Sequence, residues 1–375
     1  MSAVLPERIA QARELQGLTK TEIASALGVS PAAVAQWESG VKSPTAENLA
    51  LLAREVGFPI AAFQRAQPVG FSQPGPLSFR ARSNGTTRRA NVRAEQLAKL
   101  VAEAYVWLSE RVALPLPNLP DVGAPGISPE EAAQACRRAW NLGDRPILKL
   151  GELLESQGII VARASLGDEK LDAFSCLVSG RPFVFLGSDK LDRARSRFDA
   201  AHELAHLILH QHYTERHLSD ADDHKELEQQ ANAFASAFLM PATTFGQEIF
   251  DTTLNGFLRL KERWGVSVQA MVVRSFQLGL IDEHRRTELF RQMSAKGWRK
   301  ARGEPLDNLV PEVNRSVGKR SIELLTQNGV IHLWEIPNEI PFPDEVLHVA
   351  FNITPESLHD AVAPNVVLFP AKTGE

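Results

Sequence analysis

Residues 197–210 have the sequence RFDAAHELAHLILH, and this stretch decides what fold is expected around it. Its apolar residues recur at helical spacing and are dense enough for a buried helix. His202 and His206 are four residues apart, so on a helix they lie about 40° apart around the axis. Both imidazoles can then reach one ion from the same face, as zinc at an open catalytic site requires. Glu203 lies at the flank of that face, where it can accept a proton from a water molecule at the metal.

A catalytic zinc needs a third protein ligand, and a second amphipathic helix predicted over residues 223–240 offers one. Glu228 lies on the inward stripe of this helix, whereas Glu226 lies about 160° away and is predicted to face water. The stripe continues through Ala231, Asn232, Ala235, Phe238 and Leu239. Small residues at two of these positions allow the two helices to approach closely. Glu228 is therefore the predicted third ligand.

Other polar residues near the motif have open roles. His210 continues the face of the two histidines and is either a further ligand, a neighbour that orients a ligand, or a packed histidine beyond the metal. Asp199 and Asn232 are candidates for orienting a ligand imidazole, although Asp199 fits a surface carboxylate equally well. An electrophile for the tetrahedral intermediate is Tyr213 or a histidine. The remaining histidines nearby are predicted to be solvated in a polar connection: His212, His217 and His224.

The rest of the chain predicts a mainly helical fold with a small sheet, an α+β protein. Short strands are predicted at 158–162, 173–178 and 182–186, and the last two form a hairpin across Ser179-Gly180. The strand at 182–186 is a candidate edge on which an extended peptide substrate can add as a further strand. The opposite interpretation, that it only covers the core, stays open.

The N-terminal region predicts an all-α helix-turn-helix domain. A capping box at 19–22 begins one helix and Gly28 ends it; Ser30 caps a second helix that begins with Pro31. Val34 and Trp37 of this second helix are predicted to face the core. The predicted DNA contacts are Lys20, Ala32, Gln36 and Lys42, and residues 1–66 are the predicted DNA-binding part. A helical module for protein contacts is the alternative.

The charge of this region is balanced, because residues 1–70 hold six basic and six acidic side chains. Phosphate neutralisation supplies most non-specific DNA affinity. DNA binding is therefore expected to depend on a homodimer and on the arginine-rich segment 80–93, unless that segment is a solvated linker.

Composition limits the class of protein. The chain has 375 residues, a net charge of −4 and two cysteines, which cannot form a disulfide framework. No targeting sequence or membrane segment is evident, so a soluble cytoplasmic protein is predicted. The predicted domains are 1–66, a linker and connecting helix at 67–125, a metallopeptidase domain at 126–305, and a C-terminal segment of unknown role at 306–375.

Two stretches resemble known families. Residues 197–210 and 228–241 (EQQANAFASAFLMP) are similar to the two signatures of the ImmA/IrrE metallopeptidases, with Ala205 in place of the glycine that many members have. Residues 6–57 resemble the XRE, or Cro/repressor, type of helix-turn-helix. Pro31 and Ala32 replace the polar base-reading residues often found there.

The resemblance implies a zincin-like domain in which His202, His206 and Glu228 hold zinc and Glu203 is the catalytic base. It further implies a regulator that binds DNA and cleaves a protein substrate, a transcriptional repressor, in a stress or mobile-element response. The alternative is a transcription factor whose peptidase-like domain senses a metal, ligand or partner without cleaving anything.

Overall fold

A computed structural model describes residues 3–68, 87–122, 126–166, 171–188, 192–210, 221–300, 303–310, 312 and 317–359. Within these ranges helices predominate and three strands form one small sheet, which confirms the predicted α+β class. The helices are α1 Pro6–Leu15, α2 Lys20–Leu27, α3 Pro31–Glu38, α4 Ala46–Val56, α5 Arg88–Ser109, α6 Pro129–Ala139, α7 Leu150–Ser156, α8 Arg193–Leu209, α9 Ala221–Leu239, α10 Ala242–Glu248, α11 Leu254–Trp264, α12 Val268–Gln277, α13 Glu283–Ala295, α14 Val317–Gln327, α15 Ile336–Glu339, α16 Asp344–Phe351 and α17 Pro355–His359. None of the helices within the described residues is long and apolar enough to span a bilayer.

The N-terminal helices begin and end where local side chains satisfy the backbone. Thr19 Oγ1 accepts the Glu22 amide at 3.1 Å, and Glu22 Oε2 accepts the Thr19 amide at 2.6 Å, so the predicted capping box is present. In α3, Val34 and Trp37 are 1% and 5% exposed and face the core as predicted. These caps make the positions of α2 and α3 a local property of the sequence.

Helix α5 is more than the connecting helix that the sequence predicts. Apolar residues occur around most of its circumference, and the helix is buried between α1 on one side and α16 on the other. Arg8 of α1 forms a two-pronged ion pair with Glu103 of α5, at 2.8 and 2.7 Å, and both side chains are almost fully buried. The helix-turn-helix unit is thereby fixed to the body of the molecule.

The sheet comprises β1 Ile160–Ala164, β2 Ala173–Val178 and β3 Arg181–Gly187, in the order β1-β3-β2. β2 and β3 are antiparallel and form the predicted hairpin, with Ser179 and Gly180 both at positive φ in its turn. β1 pairs parallel to β3, which therefore lies in the centre of the sheet. The prediction that the strand at 182–186 offers an open edge is wrong, because both its edges are hydrogen-bonded; β2 and β1 are the outer strands.

Both faces of this sheet are covered, and the two faces belong to different hydrophobic cores. Alternation along the strands sends Phe174, Phe183 and Phe185 to the face that packs on α5 and the C-terminal helices. Val184 and Leu186 point to the opposite face, against α8. We call these the α5 face and the α8 face.

The segment after residue 306, which sequence inspection left without a role, completes the α5 face. α14 and α16 pack on α5, and α16 also contacts β1. The Tyr105 hydroxyl donates to the Ala350 carbonyl at 3.1 Å. Glu155 of α7 accepts the Val317 amide at 3.0 Å, so the C-terminal helices are tied to the helical layer on the other side as well.

Gly318→Ala tests this packing. A Cβ at Gly318 would lie 2.5 Å from the Ala350 carbonyl oxygen and 2.6 Å from the Tyr105 hydroxyl, so α14 and α16 would have to separate. We expect the free energy of unfolding to fall by about 1–3 kcal/mol, measured by urea denaturation. Gly246→Ala is the matched control, because its Cβ would meet only Leu280 at 3.9 Å, and the higher helix propensity of alanine should leave stability unchanged or raise it. Equal effects at the two glycines would contradict the close packing.

Candidate metal centre and helix-turn-helix surface

Helix α8 is held in place by contacts at its start and along its length. The Asp307 carboxylate accepts the backbone amides of Arg193 and Ala194, at 2.7 and 3.1 Å, and so caps the helix from a distant segment. The buried guanidinium of Arg197 donates to the carbonyls of Gly265, at 2.8 Å, and Ile147. Burial lowers the pKa of Arg197 to about 10. The motif therefore lies on a helix whose position is fixed by buried polar contacts.

Three predicted ligands converge between α8 and α9. The Nε2 atoms of His202 and His206 are 3.0 Å apart, and each lies 3.4 Å from an oxygen of Glu228. Both imidazoles are almost fully buried and Glu228 is partly buried. Burial raises the pKa of Glu228, but the contacts with the two histidines outweigh it and hold the pKa well below its usual range. One donor atom from each of the three side chains fits within 4.8 Å of the others.

The outer nitrogen of His202 contacts Asn232, one of the candidates for orienting a ligand imidazole. Asn232 Nδ2 donates to the Glu228 backbone carbonyl at 2.8 Å, which directs Asn232 Oδ1 at His202 Nδ1, 3.1 Å away. His202 Nδ1 therefore carries the proton and donates it, and Nε2 presents its lone pair to the cluster. Asn232 thus fixes the orientation of the His202 imidazole, as hydrogen-bond partners of metal-binding histidines do.

The outer nitrogen of His206 faces another histidine. His206 Nδ1 and His210 Nδ1 are 2.9 Å apart, and His210 is 1% exposed. Burial, together with the neighbouring His206, lowers the pKa of His210 to about 3, so its imidazole is neutral near pH 7. His210 is outside the three-residue cluster. Asp199 is half-buried on α8, and the Nδ1 atoms of His202 and His206 contact Asn232 and His210, respectively.

This donor set fits a metal ion. Two imidazole nitrogens and a carboxylate are the ligand types of catalytic zinc sites with three protein ligands. Glu228 Oε1 is buried and has no hydrogen-bond partner among the described residues. A buried carboxylate oxygen beside two imidazole nitrogens calls for a cation, because buried charges are paired or coordinate metals.

Glu203 lies on the sheet side of α8, and its carboxylate is held by a residue that sequence inspection did not select. Ser175 of β2 donates its hydroxyl to Glu203 Oε2 at 2.8 Å, and both residues are 1% exposed. Ser175 is a hydroxyl in the otherwise apolar strand AFSCLV. A buried polar group in such a strand needs a partner, and that is the signal that predicts a role for it.

A cleft of about 550 Å³ adjoins the cluster. It extends along α8 past Phe198 and Asp199 and reaches Asn232 of α9, with Trp298 on the far wall. The same amide that orients His202 thus lines the cleft. The space is large enough for several side chains of a polypeptide.

The predicted solvated histidines have different outcomes. His212 and His217 lie outside the described residues, and so does Tyr213, the candidate electrophile. His224 is in α9 and only 6% exposed, so the prediction of a solvated loop residue is wrong for it. The reason is that residue 224 lies in α9 one turn before Glu228, on the buried stripe of that helix. The prediction that Glu226 faces water is confirmed.

The predicted DNA contacts lie on the outer side of the helix-turn-helix unit. Ala32 and Lys42 are exposed, and Gln36 is half-buried. Lys20 is exposed but forms an ion pair with Glu38 at 3.1 Å, which offsets part of its charge. All four stay predictions for DNA binding.

In the described part of the arginine-rich segment 80–93, two arginines form ion pairs within the protein. Arg89 pairs with Glu22 of α2 at 2.7 Å, and Arg93 pairs with Glu345 of α16 at 2.7 Å. These two side chains attach α5 to its neighbours, and a contribution of the segment to DNA binding stays a prediction. The earlier part of the segment lies outside the described residues.

Two known families match the regions that contain the metal cluster and the helix-turn-helix unit. Residues 154–276 match the family model of the IrrE N-terminal-like domain, and residues 9–63 match a helix-turn-helix family model. Curated proteins provide no match to the chain. The resemblances stated from sequence are thus confirmed: the chain combines a helix-turn-helix domain with a peptidase-type domain.

Proposed function

We propose that this chain is a DNA-binding transcriptional regulator whose second domain is a zinc-dependent endopeptidase. Its substrate is a protein, namely a transcriptional repressor cleaved in a stress or mobile-element response. The observation that carries the proposal is the convergence of His202, His206 and Glu228 beside the buried carboxylate of Glu203. A site that only stored or sensed a metal would need the three ligands but not the neighbouring carboxylate.

The residues divide the chemistry between them. His202, His206 and Glu228 would hold the zinc ion, which supplies Lewis acidity that activates water and polarises a carbonyl. Glu203 accepts the proton of the attacking water and returns it to the leaving amine. Ser175 keeps the Glu203 carboxylate on the sheet side of α8.

The surroundings suit an extended polypeptide. β2 is an outer strand of the sheet and holds Ser175 next to Glu203. Peptidases commonly bind substrates as an added strand on such an edge. The adjoining cleft offers room for side chains on one side of the scissile bond.

The helix-turn-helix domain brings this activity to DNA in the cytoplasm. Its exposed residues Ala32 and Lys42, with Gln36 and Lys20, are the proposed contacts. A homodimer would place two such surfaces on a two-fold operator and compensate for the balanced charge of the domain.

The test uses the full chain and candidate transcriptional repressors, beginning with any that is encoded beside its gene. Zinc-loaded protein and protein stripped by a chelator are each incubated with the candidate repressors, and products are followed by mass spectrometry. Cleavage that depends on zinc supports the proposal. If the zinc-loaded protein leaves the repressor intact but still shifts promoter DNA, the non-proteolytic regulator is the correct function.

His202→Ala tests the metal site apart from catalysis. We expect wild type to retain about one zinc ion per chain, and His202→Ala to lose it during dialysis, because two remaining ligands bind zinc weakly. Zinc is measured by atomic emission on purified protein. His348→Ala, which changes a histidine of α16 remote from the cluster, is the control and should retain zinc. Equal zinc content in all three proteins would refute the assignment.

A further inference from the structure

The cleft beside the metal cluster is lined by three acidic and three basic side chains, whose formal charges cancel. They are Asp192, Asp199, Glu304, Arg195, Arg299 and Lys300. A charge that is already paired within the protein attracts a ligand less than a single charge does, because the field of its partner opposes its own. The sign that a ligand meets therefore depends on which of these charges lack a partner.

The carboxylates at the start of α8 are offset from within the protein. Glu304 Oε1 lies 2.7 Å from Nζ of the buried Lys261, which also lies 3.5 Å from Asp307. Asp192 and Asp307 both accept backbone amides in the first turn of α8, where the helix dipole is positive. Burial raises the pKa of Asp192 and of Glu304, which opposes their ionisation. Little of their negative charge is therefore left for a ligand.

The third carboxylate and one of the basic side chains also have partners. Asp199 lies near the buried guanidinium of Arg163 and favours its charged form. Arg195 pairs with Asp172 at 2.5 Å. Neither Asp199 nor Arg195 therefore offers an unpaired charge to a ligand in the cleft.

Arg299 and Lys300 differ from the other four residues, because neither has a carboxylate partner among the described residues. Both side chains are exposed. The Arg299 guanidinium lies over the Phe290 ring, 5.3 Å from its centroid, a contact that holds the guanidinium without neutralising it. The excess charge of the cleft is therefore positive and is carried by Arg299 and Lys300, which we call the cationic wall.

Backbone hydrogen bonds fix the cationic wall in place. The chain leaves α13 at Gly297, which has a φ of 72°, and the Trp298 amide donates to the Met293 carbonyl at 2.9 Å. The Lys300 amide donates to the Gly297 carbonyl at 3.1 Å, which closes a turn around Trp298 and Arg299. The Trp298 ring packs on the hydrophobic core of the α8 face. The backbone beneath both cations is therefore tied to the body of the domain.

We propose that the cationic wall selects protein substrates that carry acidic side chains close to the scissile bond. The inference rests on the proposed endopeptidase function and names a chemical class of substrate for it. The cleft that the wall lines also reaches Asn232, whose side chain contacts the metal ligand His202. A polypeptide with its scissile bond at the metal cluster places neighbouring side chains in this cleft. An aspartate or glutamate there is attracted by the wall, whereas a lysine or arginine is repelled.

The position of the two cations favours a polypeptide over DNA. A duplex is contacted through several phosphates along a strand, so its binding surface needs a row of cations. The cationic wall has two cations, and they line a cleft of about 550 Å³ that is far narrower than a duplex. Side chains of a polypeptide can enter such a space.

Binding of charged peptides tests the proposal without requiring hydrolysis. The probes are a short fluorescein-labelled peptide of glutamate and alanine, and its counterpart with lysine in place of glutamate. Fluorescence anisotropy with the zinc-loaded full chain measures both affinities. We expect the glutamate peptide to bind about tenfold or more tightly at low salt, with a difference that shrinks as salt screens the charges. Equal affinities, or tighter binding of the lysine peptide, would overturn the proposal.

Arg299→Glu/Lys300→Glu tests whether the cationic wall causes this preference. We expect the double variant to bind the glutamate peptide about tenfold or more weakly and the lysine peptide more tightly than wild type does. Arg138→Glu/Arg291→Glu is the matched control, because it changes the net charge equally at exposed arginines outside the cleft. The control should keep the wild-type preference. Equal effects of the two double variants would show a general influence of net charge and defeat the proposal.

A gel shift with promoter DNA separates substrate binding from DNA binding. We expect Arg299→Glu/Lys300→Glu to shift the DNA as the matched control does. A cleft variant that keeps the wild-type peptide preference but no longer shifts DNA would assign the two cations to DNA instead.

Cleavage sites connect the preference with catalysis. In a library of peptides from a digested proteome, zinc-loaded wild type should cleave bonds with aspartate or glutamate enriched on one side. This enrichment should disappear in Arg299→Glu/Lys300→Glu. Cleavage by wild type without the enrichment would overturn the proposed substrate class. A wild-type protein that cleaves neither the library nor any candidate repressor defeats the peptidase, and the anisotropy measurements then decide whether the cleft binds acidic peptides.

Discussion

Glu203→Gln is expected to lower kcat for repressor cleavage by about 10²–10⁴-fold with little change in KM. Glutamine has the same shape and can still accept the Ser175 hydroxyl, but it cannot take a proton from water. Glu203 is not among the three clustered ligands, so the variant should retain zinc. Steady-state rates on the repressor, with zinc content measured on the same samples, check both expectations.

Asp199→Asn is the matched control for this prediction. It makes the same carboxylate-to-amide change one helical turn earlier on α8, where the residue is half-buried beside the cleft. The Nδ1 atoms of His202 and His206 face Asn232 and His210, so we expect kcat to stay within about tenfold of wild type. Wild-type turnover by Glu203→Gln would show that another group accepts the proton.

Glu103→Leu is expected to lower the free energy of unfolding by about 3–5 kcal/mol. Arg8 and Glu103 are 3% and 0% exposed, so removal of the carboxylate leaves a buried guanidinium charge that keeps only neutral partners. Gln11 Oε1 and the Arg65 carbonyl still accept from Arg8, at 2.6 and 2.8 Å, but they do not neutralise it. Thermal and urea unfolding measure the loss, and amide exchange in α1 locates it.

The double variant Arg8→Met/Glu103→Leu should recover most of this loss, because replacing a buried ion pair by apolar residues is often neutral or stabilising. Glu323→Gln is the control for a surface pair. Its partner Lys319 is 3.8 Å away and both side chains are about half exposed, so the change should cost less than about 0.5 kcal/mol. A loss in Glu103→Leu no larger than in this control would contradict the proposed anchoring of the helix-turn-helix unit.

Local chemistry made much of the fold predictable. The capping box at Thr19 and the Ser30-Pro31 pair place α2 and α3 within a residue or two, because their hydrogen bonds join near neighbours. The parallel pairing of β1 with β3 was not predictable, since it joins strands separated by the whole of β2. The same holds for the packing of α14 and α16 on α5, whose partners lie more than 200 residues apart in sequence.

The site residues also separate into those that local spacing made predictable and those that depend on long-range packing. Four-residue spacing predicted the convergence of His202 and His206, and the inward stripe of α9 predicted Glu228. Ser175 was not predicted, because its role depends on how closely α8 approaches β2. Helical periodicity determines which face a residue occupies, but only the packed structure determines which partner it meets.

The two-sided burial of the sheet has a consequence for synthesis of the chain. The phenylalanines of its α5 face have all been synthesised by residue 187, whereas α16 ends at residue 351. At about 5–20 residues per second, roughly 10–30 s pass between them. During that interval the α5 face lacks the C-terminal helices that close it. The nascent chain must therefore keep an aromatic surface from aggregating, by chaperone binding or provisional packing on α5, until its last helices are made.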